Sequence, residues 1–216
     1  VCGTTTCEIK TGYGLDVESE LKMLAVIDEL SNQHPIEIVP TLLAAHAIPP
    51  EFKDDSDTYV ELICSEILPQ AWDWYENSQF YERVVPFSVD VFAEKNTYSV
   101  EQSRRIFEAA ASLGFQIKAH VDQFTNLGGS RLGIESGALS IDHLDAISDE
   151  EIALLANSDT VGVVIPTENF SAGKSQFADA RMMIDAGCAI AISTDYNPGS
   201  APCPSMPMAM AISCRY

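Results

Sequence analysis

Seven short runs of apolar and β-branched residues alternate with helical stretches along this chain. That alternation limits the fold more than any other feature. The runs cover residues 4–10, 36–43, 88–94, 116–122, 139–144, 160–166 and 189–194. Helical connections between successive strands bring the chain back in the same direction, so an α/β fold with parallel strands is expected. Between the runs, Val17, Leu21, Leu24 and Ala25 follow i, i+4, i+7, i+8 spacing, the apolar stripe of a helix. Ser99 with Gln102, and Ser148 with Glu151, read as capping boxes. Gly114 and Gly187 fall where a left-handed C-terminal cap is needed. The long segment 54–79 contains Pro69 and predicts two helices.

The strand faces choose between two parallel architectures. In Gln116-Ile117-Lys118-Ala119-His120-Val121-Asp122 the polar residues share one face, while Ile117, Ala119 and Val121 share the other. Run 88–94 repeats this, with Asp90 and Glu94 opposite Val89, Val91 and Ala93. An open sheet covered by helices on both sides is apolar on both faces. A polar inner face needs a polar interior, which a barrel built around a site supplies. A TIM-type (β/α) barrel therefore fits better than a doubly wound sheet. No repeat, low-complexity tract or flexible linker divides the sequence, so residues 1–216 read as one domain.

Composition narrows the partners. With 32 acidic and 12 basic side chains the formal charge is −20, which repels phosphate backbones and anionic lipid. Nucleic acid and membrane surfaces are therefore not expected partners, and no apolar run reaches the ~18 residues that span a bilayer. The 46% hydrophobic content excludes a disordered polymer. The six cysteines, at 2, 7, 64, 188, 203 and 214, form no CxxC pair and read as reduced thiols of a cytoplasmic protein. The sequence opens at Val1 without Met or any visible signal peptide, and stops at 208–216 as an apolar helical pattern begins. Both ends read as cut from something longer.

The chemistry-bearing residues gather at strand ends. His46 closes Thr41-Leu42-Leu43-Ala44-Ala45-His46-Ala47, and His120 and His143 end the runs that contain them. Asp195 follows the last run. The C-terminal ends of four strands thus carry His or Asp, at the rim where parallel barrels place catalysis. Singly, each histidine is well explained as a hydrogen-bonded structural residue; jointly, independent structural roles do not account for one shared rim. Imidazoles with a carboxylate suit a divalent metal. Such an ion with an open position, beside a carboxylate that accepts a proton, is the equipment of metal-assisted amide hydrolysis. Neither GxGxxG nor GxxxxGK[ST] is present, and Gly128-Gly129 reads as a turn. The loop 193–200 is dense in donors, and Gly199 lets backbone approach a ligand, although a strand-closing turn has the same composition. Tyr13 has a comparable position after the first run. His34 lies in a loop before a strand, and Trp72 and Trp74 read as helix-packing residues.

Five ordered blocks resemble the imidazolonepropionase family of the amidohydrolase superfamily. They are residues 8–15 (Glu8-Ile9-Lys10-Thr11-Gly12-Tyr13-Gly14-Leu15), 40–49, Lys118-Ala119-His120-Val121-Asp122-Gln123, Asp142-His143-Leu144 and 193–200. The resemblance implies a cytoplasmic enzyme of histidine degradation that opens the ring of 4-imidazolone-5-propanoate with water, giving N-formimidoyl-L-glutamate. It further implies one divalent metal, zinc or iron, and a homodimer at full length. His120 and Asp195 are then metal ligands, Asp195 also moves protons, and His143 polarises the ring carbonyl or holds the oxyanion. Gln123 stands where some members carry Glu; it can hydrogen-bond the ring but cannot titrate. Tyr13, His46, Asn197, Gly199 and Ser200 match substrate-contacting positions.

The family's HxH motif and small β-sandwich are missing from this sequence, so the seven runs correspond to the second through eighth barrel strands. Such a piece, with two unpaired edges, is expected to be inactive and poorly soluble alone. Two alternatives stand beside this reading. Against another ring hydrolase or deaminase, of guanine or hydroxyatrazine type, stand the blocks around Tyr13 and His46. Against a non-catalytic barrel-derived binding protein stands the joint presence of His120, His143 and Asp195.

Overall fold

The computed structural model describes residues 3–216, so Cys2 lies outside the described residues. Seven strands form one parallel sheet in sequence order: β1 (Thr6–Lys10), β2 (Glu37–Ala45), β3 (Ser88–Ala93), β4 (Gln116–Val121), β5 (Ser140–His143), β6 (Val161–Val164) and β7 (Ile190–Ile192). Each pairs with the next, and among the described residues β1 and β7 are the sheet's two edges. The architecture is an open portion of a (β/α) barrel, as the alternation and the face pattern predict.

Helices α1 (Val17–Gln33), α2 (Ser56–Leu62), α3 (Leu68–Glu76), α4 (Gln79–Glu82) and α5 (Val100–Leu113) fill the first three connections. Helices α6 (Gly129–Glu135), α7 (Asp149–Leu155), α8 (Pro166–Ser171) and α9 (Ala180–Asp185) fill the rest, and α10 (Met206–Ser213) follows β7. Both capping boxes form, opening α5 and α7, and Gly114 closes α5 in the left-handed region at φ 112°. Gly187 follows α9 at φ 97°.

Two local expectations need correction, and a third is refined. Ala25 is exposed; the buried face of α1 instead carries Glu20, Leu24 and Ile27, a slight rotation that brings a carboxylate inward. The two helices expected in 54–79 are α2 and α3, but their join falls before Pro69. A π-helical turn over Ile63–Ile67 joins α2 to α3, and its wider hydrogen-bond register accommodates a residue without an N–H. Gly128-Gly129 is more than a turn, since Gly128, at φ 84°, is the N-cap of α6.

Alternation along the strands divides the molecule in two. Val89, Val91, Ala93, Ile117, Ala119 and Val121 are buried beneath the helices with Leu24, Ile63, Ile67 and Ile106. Burying one such aliphatic side chain contributes about 1.5–3 kcal/mol, so this face carries most of the cohesion. Trp72 and Trp74 pack as expected, with ring centroids 4.9 Å from Phe115 and 5.6 Å from Phe87 respectively. The opposite face is polar. Lys10 Nζ lies 2.5 Å from Asp90 and 3.1 Å from Asp142, and Lys118 Nζ lies 2.9 Å from Glu8. Thr41 donates to Glu8 at 2.5 Å and Ser140 to Asp142 at 2.9 Å. Alternating charges cancel across neighbouring strands, which is how a parallel sheet tolerates charged residues inside. No helix among the described residues is long and apolar enough to cross a membrane.

Candidate active site

His120 is the penultimate residue of β4, where the inward-facing positions of the strand meet the rim. It sits above Lys118 on the same face, and Asp142 is its register partner on β5. Its Nδ1 lies 3.0 Å from Asp90 Oδ1, and the ring is buried. A carboxylate on one imidazole nitrogen fixes the ring and leaves the other nitrogen for a ligand, as in metal-binding histidines generally. Burial opposes charge on His120, but the Asp90 carboxylate outweighs it and lifts the imidazole above its ordinary value. Asp90 is correspondingly held well below the usual carboxylate range, against its own burial, by His120 and Lys10.

His143 ends β5, with its ring centroid 5.2 Å from that of His120. Burial and the neighbouring His120 push it well below the usual imidazole value, so it is neutral at physiological pH. Its Nδ1 is the one buried side-chain nitrogen or oxygen among the described residues that lacks a hydrogen-bond partner. Asp195 follows β7. Burial raises its carboxyl above the usual range, against the attraction of His120 and Lys10. Asp122, His143 and Asp195 all have positive φ (50°, 82° and 48°), a conformation that costs a non-glycine residue of order 1–3 kcal/mol and tends to gather at functional sites.

The other residues singled out in the sequence fall in three places. Tyr13 and His46 come together, with rings edge-on and centroids 5.2 Å apart, and His46 Nδ1 lies 3.1 Å from Gly12 O. Burial lowers the His46 imidazole, against that main-chain contact, and burial with the nearby Asp195 raises the Tyr13 phenol. Asn197, Gly199 and Ser200 build the loop after β7. Asn197 Nδ2 donates to the Asp195 carboxylate at 3.0 Å, while its Oδ1 accepts from the Gly199 and Ser200 N–H groups at 2.8 Å each. This loop geometry holds Asp195 in place. Gln123, buried just beyond β4, lines a recess of about 450 Å³ with Phe124, Asp145, Ala146, Lys174 and Gln176, to which His120, His143 and Asp195 do not contribute.

The donors fit a divalent ion. His120 offers a ring nitrogen braced by Asp90, and Asp195 offers a carboxylate. This borderline nitrogen-oxygen pair suits zinc and iron alike. Asp90, His120 and Asp142 also present ligand-capable atoms within 4.8 Å of one another. Lys10 already lies against both of those carboxylates. That triad therefore braces His120 from beneath, and Asp195 is a further carboxylate at the same rim.

Sequence reasoning gave no supporting role to four acids and one base. Lys10 and Asp142 complete the charge balance under His120; Asp90 was visible only as a member of a polar strand face. Glu94, at the end of β3, accepts from the Phe124 and Thr125 N–H groups at 2.9 and 3.1 Å, clamping the residues next to Gln123. Glu20 does the same for the residues around Tyr13. Strand alternation points to Asp90 and Glu94 as inward-facing, but the long-range partners of Glu20 and Glu94 leave no local signal.

Solved structures share this architecture. An adenosine deaminase from Xanthomonas campestris with bound zinc matches at a TM-score of 0.69 and 17% identity, over 99% of this chain and 47% of that one. A guanine deaminase from C. acetobutylicum, with guanine in its active site, matches at 0.69 and 15%, over 99% and 51%. Strand order and these likenesses together define a (β/α) barrel with its polar rim, present here in part.

No protein-family model matches the chain. Imidazolonepropionases from Chloroflexus aggregans and Herpetosiphon aurantiacus are 53% and 51% identical to it over 214 residues, 99% of this chain and 50% of each relative. The imidazolonepropionase of Symbiobacterium thermophilum is 42% identical over 99% of this chain and 48% of its own length. The chain belongs to the imidazolonepropionase family and spans about half the length of the curated relatives it matches.

Proposed function

We propose that the complete protein hydrolyses the cyclic amide of 4-imidazolone-5-propanoate to N-formimidoyl-L-glutamate, using one divalent metal, zinc or iron. The observation that carries this reading is the meeting of His120, His143 and Asp195 at one rim, in a chain 53% identical to an imidazolonepropionase. His120 and Asp195 would hold the ion, which when bound supplies Lewis acidity to a carbonyl and lowers the pKa of water to about 7.

The chain's own groups supply the rest. Asp195, its carboxyl raised by burial, is a stronger base than an exposed aspartate and takes a proton at a carboxylate oxygen from the attacking water as the water oxygen bonds to the ring carbonyl carbon. Returned to the ring nitrogen, that proton makes it a leaving group and completes the cleavage of the C–N bond. His143 stays neutral, and its unpartnered ring nitrogen finds its hydrogen-bond partner in the substrate, next to the ring carbonyl. Charge developing on that oxygen meets a donor already in position, which is worth most in a buried site. Gln123 hydrogen-bonds the ring without exchanging a proton. Tyr13 and His46 flank the bound ring, and Asn197, Gly199 and Ser200 complete the pocket wall, fixing the attack geometry.

The test is formimidoylglutamate release by the full-length protein, assayed beside guanine and adenosine. Turnover of imidazolone propionate alone supports the reading. Turnover of a purine alone, or binding with no turnover of any ring, overturns it.

A further inference from the structure

Glu20 is fully buried in the first turns of α1, yet its hydrogen-bond partners are all main-chain groups of one loop. Its Oε2 accepts from Gly12 N at 3.1 Å, and its Oε1 accepts from Gly14 N at 2.8 Å and Leu15 N at 3.0 Å. These three donors bracket Tyr13. The loop is pressed down on the barrel: Gly12 has φ +111°, and a Cβ there would come 2.9 Å from Leu43 O and 3.1 Å from His46 Cβ. The carboxylate therefore fixes where the Gly12 carbonyl points.

That carbonyl matters because it lies 3.1 Å from His46 Nδ1. A main-chain oxygen can only accept, so the proton of the neutral imidazole must sit on Nδ1. Nε2 is then left with a lone pair. The chain of contacts runs from Glu20 through the Gly12–Leu15 loop to the tautomer of His46, and the same loop seats the Tyr13 ring edge-on to it.

We infer that Glu20 is a positioning residue that makes His46 a hydrogen-bond acceptor at Nε2, so that this side of the pocket selects a ligand presenting an N–H donor, such as the ring N–H of a cyclic amide. The inference rests on the reading that Tyr13 and His46 meet the substrate. It adds the group that sets their chemistry.

The experiment uses the full-length protein labelled with ¹⁵N-histidine, with the His46 resonances assigned by their loss in His46→Gln. A protonated Nδ1 and an unprotonated Nε2 are expected in the parent. A His46 protonated at Nε2 overturns the inference with no variant needed. In Glu20→Gln, whose amide turns donors toward the loop N–H groups, the two tautomers should mix. KM should rise about tenfold, the loss of roughly one hydrogen bond, with kcat little changed. Glu20→Asp, which keeps the charge, should recover part of the KM. A Glu20→Gln protein with the parental tautomer and KM, or one that loses kcat and KM together with no tautomer change, overturns the inference. Absence of turnover in the parent would instead refute the functional reading, while the tautomer measurement would still decide the role of Glu20.

Discussion

Replacing Glu94 by Gln tests whether a buried carboxylate holds the rim loop beside the recess. Glu94 is 4% exposed and serves four donors. Its Oε2 accepts from Phe124 N at 2.9 Å and Thr125 N at 3.1 Å, and its Oε1 accepts from Lys95 N at 2.7 Å and from the Thr125 hydroxyl. Glutamine keeps one acceptor oxygen and turns an NH₂ toward two of those donors. Hydrogen bonds to a charged group are worth about 1.5–3 kcal/mol, and a buried donor left unpaired costs about 1–3 kcal/mol. Two such losses, softened by movement of the loop, predict a destabilisation of about 2–4 kcal/mol at neutral pH.

The pH dependence follows from the same contacts. Burial acts to raise the Glu94 carboxyl, but the donors on Thr125, Lys95 and Phe124 prevail and hold it below the usual glutamate value. A depressed folded-state pKa stabilises the protein above the unfolded value of about 4.3, and that stability is lost as pH falls through the folded value. The glutamine variant has no such dependence. The gap between parent and variant should be widest near neutrality and close in acid. Urea denaturation of the full-length proteins at about pH 7 and about pH 3.5 measures it. A gap under about 0.5 kcal/mol at pH 7, or one equal at both pH values, would refute the reasoning.

Further outcomes follow from the site. Asp195→Asn and His120→Ala should each lower kcat by at least about a hundredfold, the low end of what a proton-transfer group contributes, and should reduce the bound metal measured by elemental analysis. Parental rates in either variant would rule out the ligand assignment. Burial raises the Asp145 carboxyl to about 6, against the hydrogen bond from Asn169. A raised folded-state pKa in an acid means the native state holds the proton longer, so stability falls as pH rises from about 4 to about 6. Asp145→Asn should therefore be roughly 1–3 kcal/mol more stable than the parent at pH 7.5, with the gain shrinking toward pH 4; equal melting curves at both pH values would contradict it.

Local chemistry in the sequence accounts for the elements of this protein. Runs of apolar and β-branched residues located all seven strands, and alternation along β3 and β4 showed one face packing under helices and the other meeting the polar interior, because both requirements repeat every two residues. The caps of α5 and α7 were legible because a capping box is closed by residues three apart. His120, His143 and Asp195 stood out because parallel strands all end at the same rim. The two helices of 54–79 were legible, but the place of their join was not, since whether a proline breaks a helix or is absorbed near a π turn depends on what the flanking turns pack against.

Only the tertiary structure decided what makes those rim residues chemically distinct. Lys10 reaches Asp90 across 80 positions and Asp142 across 132, and His120 owes its orientation to Asp90, 30 residues earlier. Glu20 looks like an ordinary surface acid in the sequence and Glu94 only like one member of a polar strand face; both become main-chain clamps where the fold presses a loop against them. The sequence by itself determined which residues line the barrel, because side-chain alternation is a local property. Their charges, tautomers and orientations depend on partners far away along the chain, which only folding brings within hydrogen-bond reach.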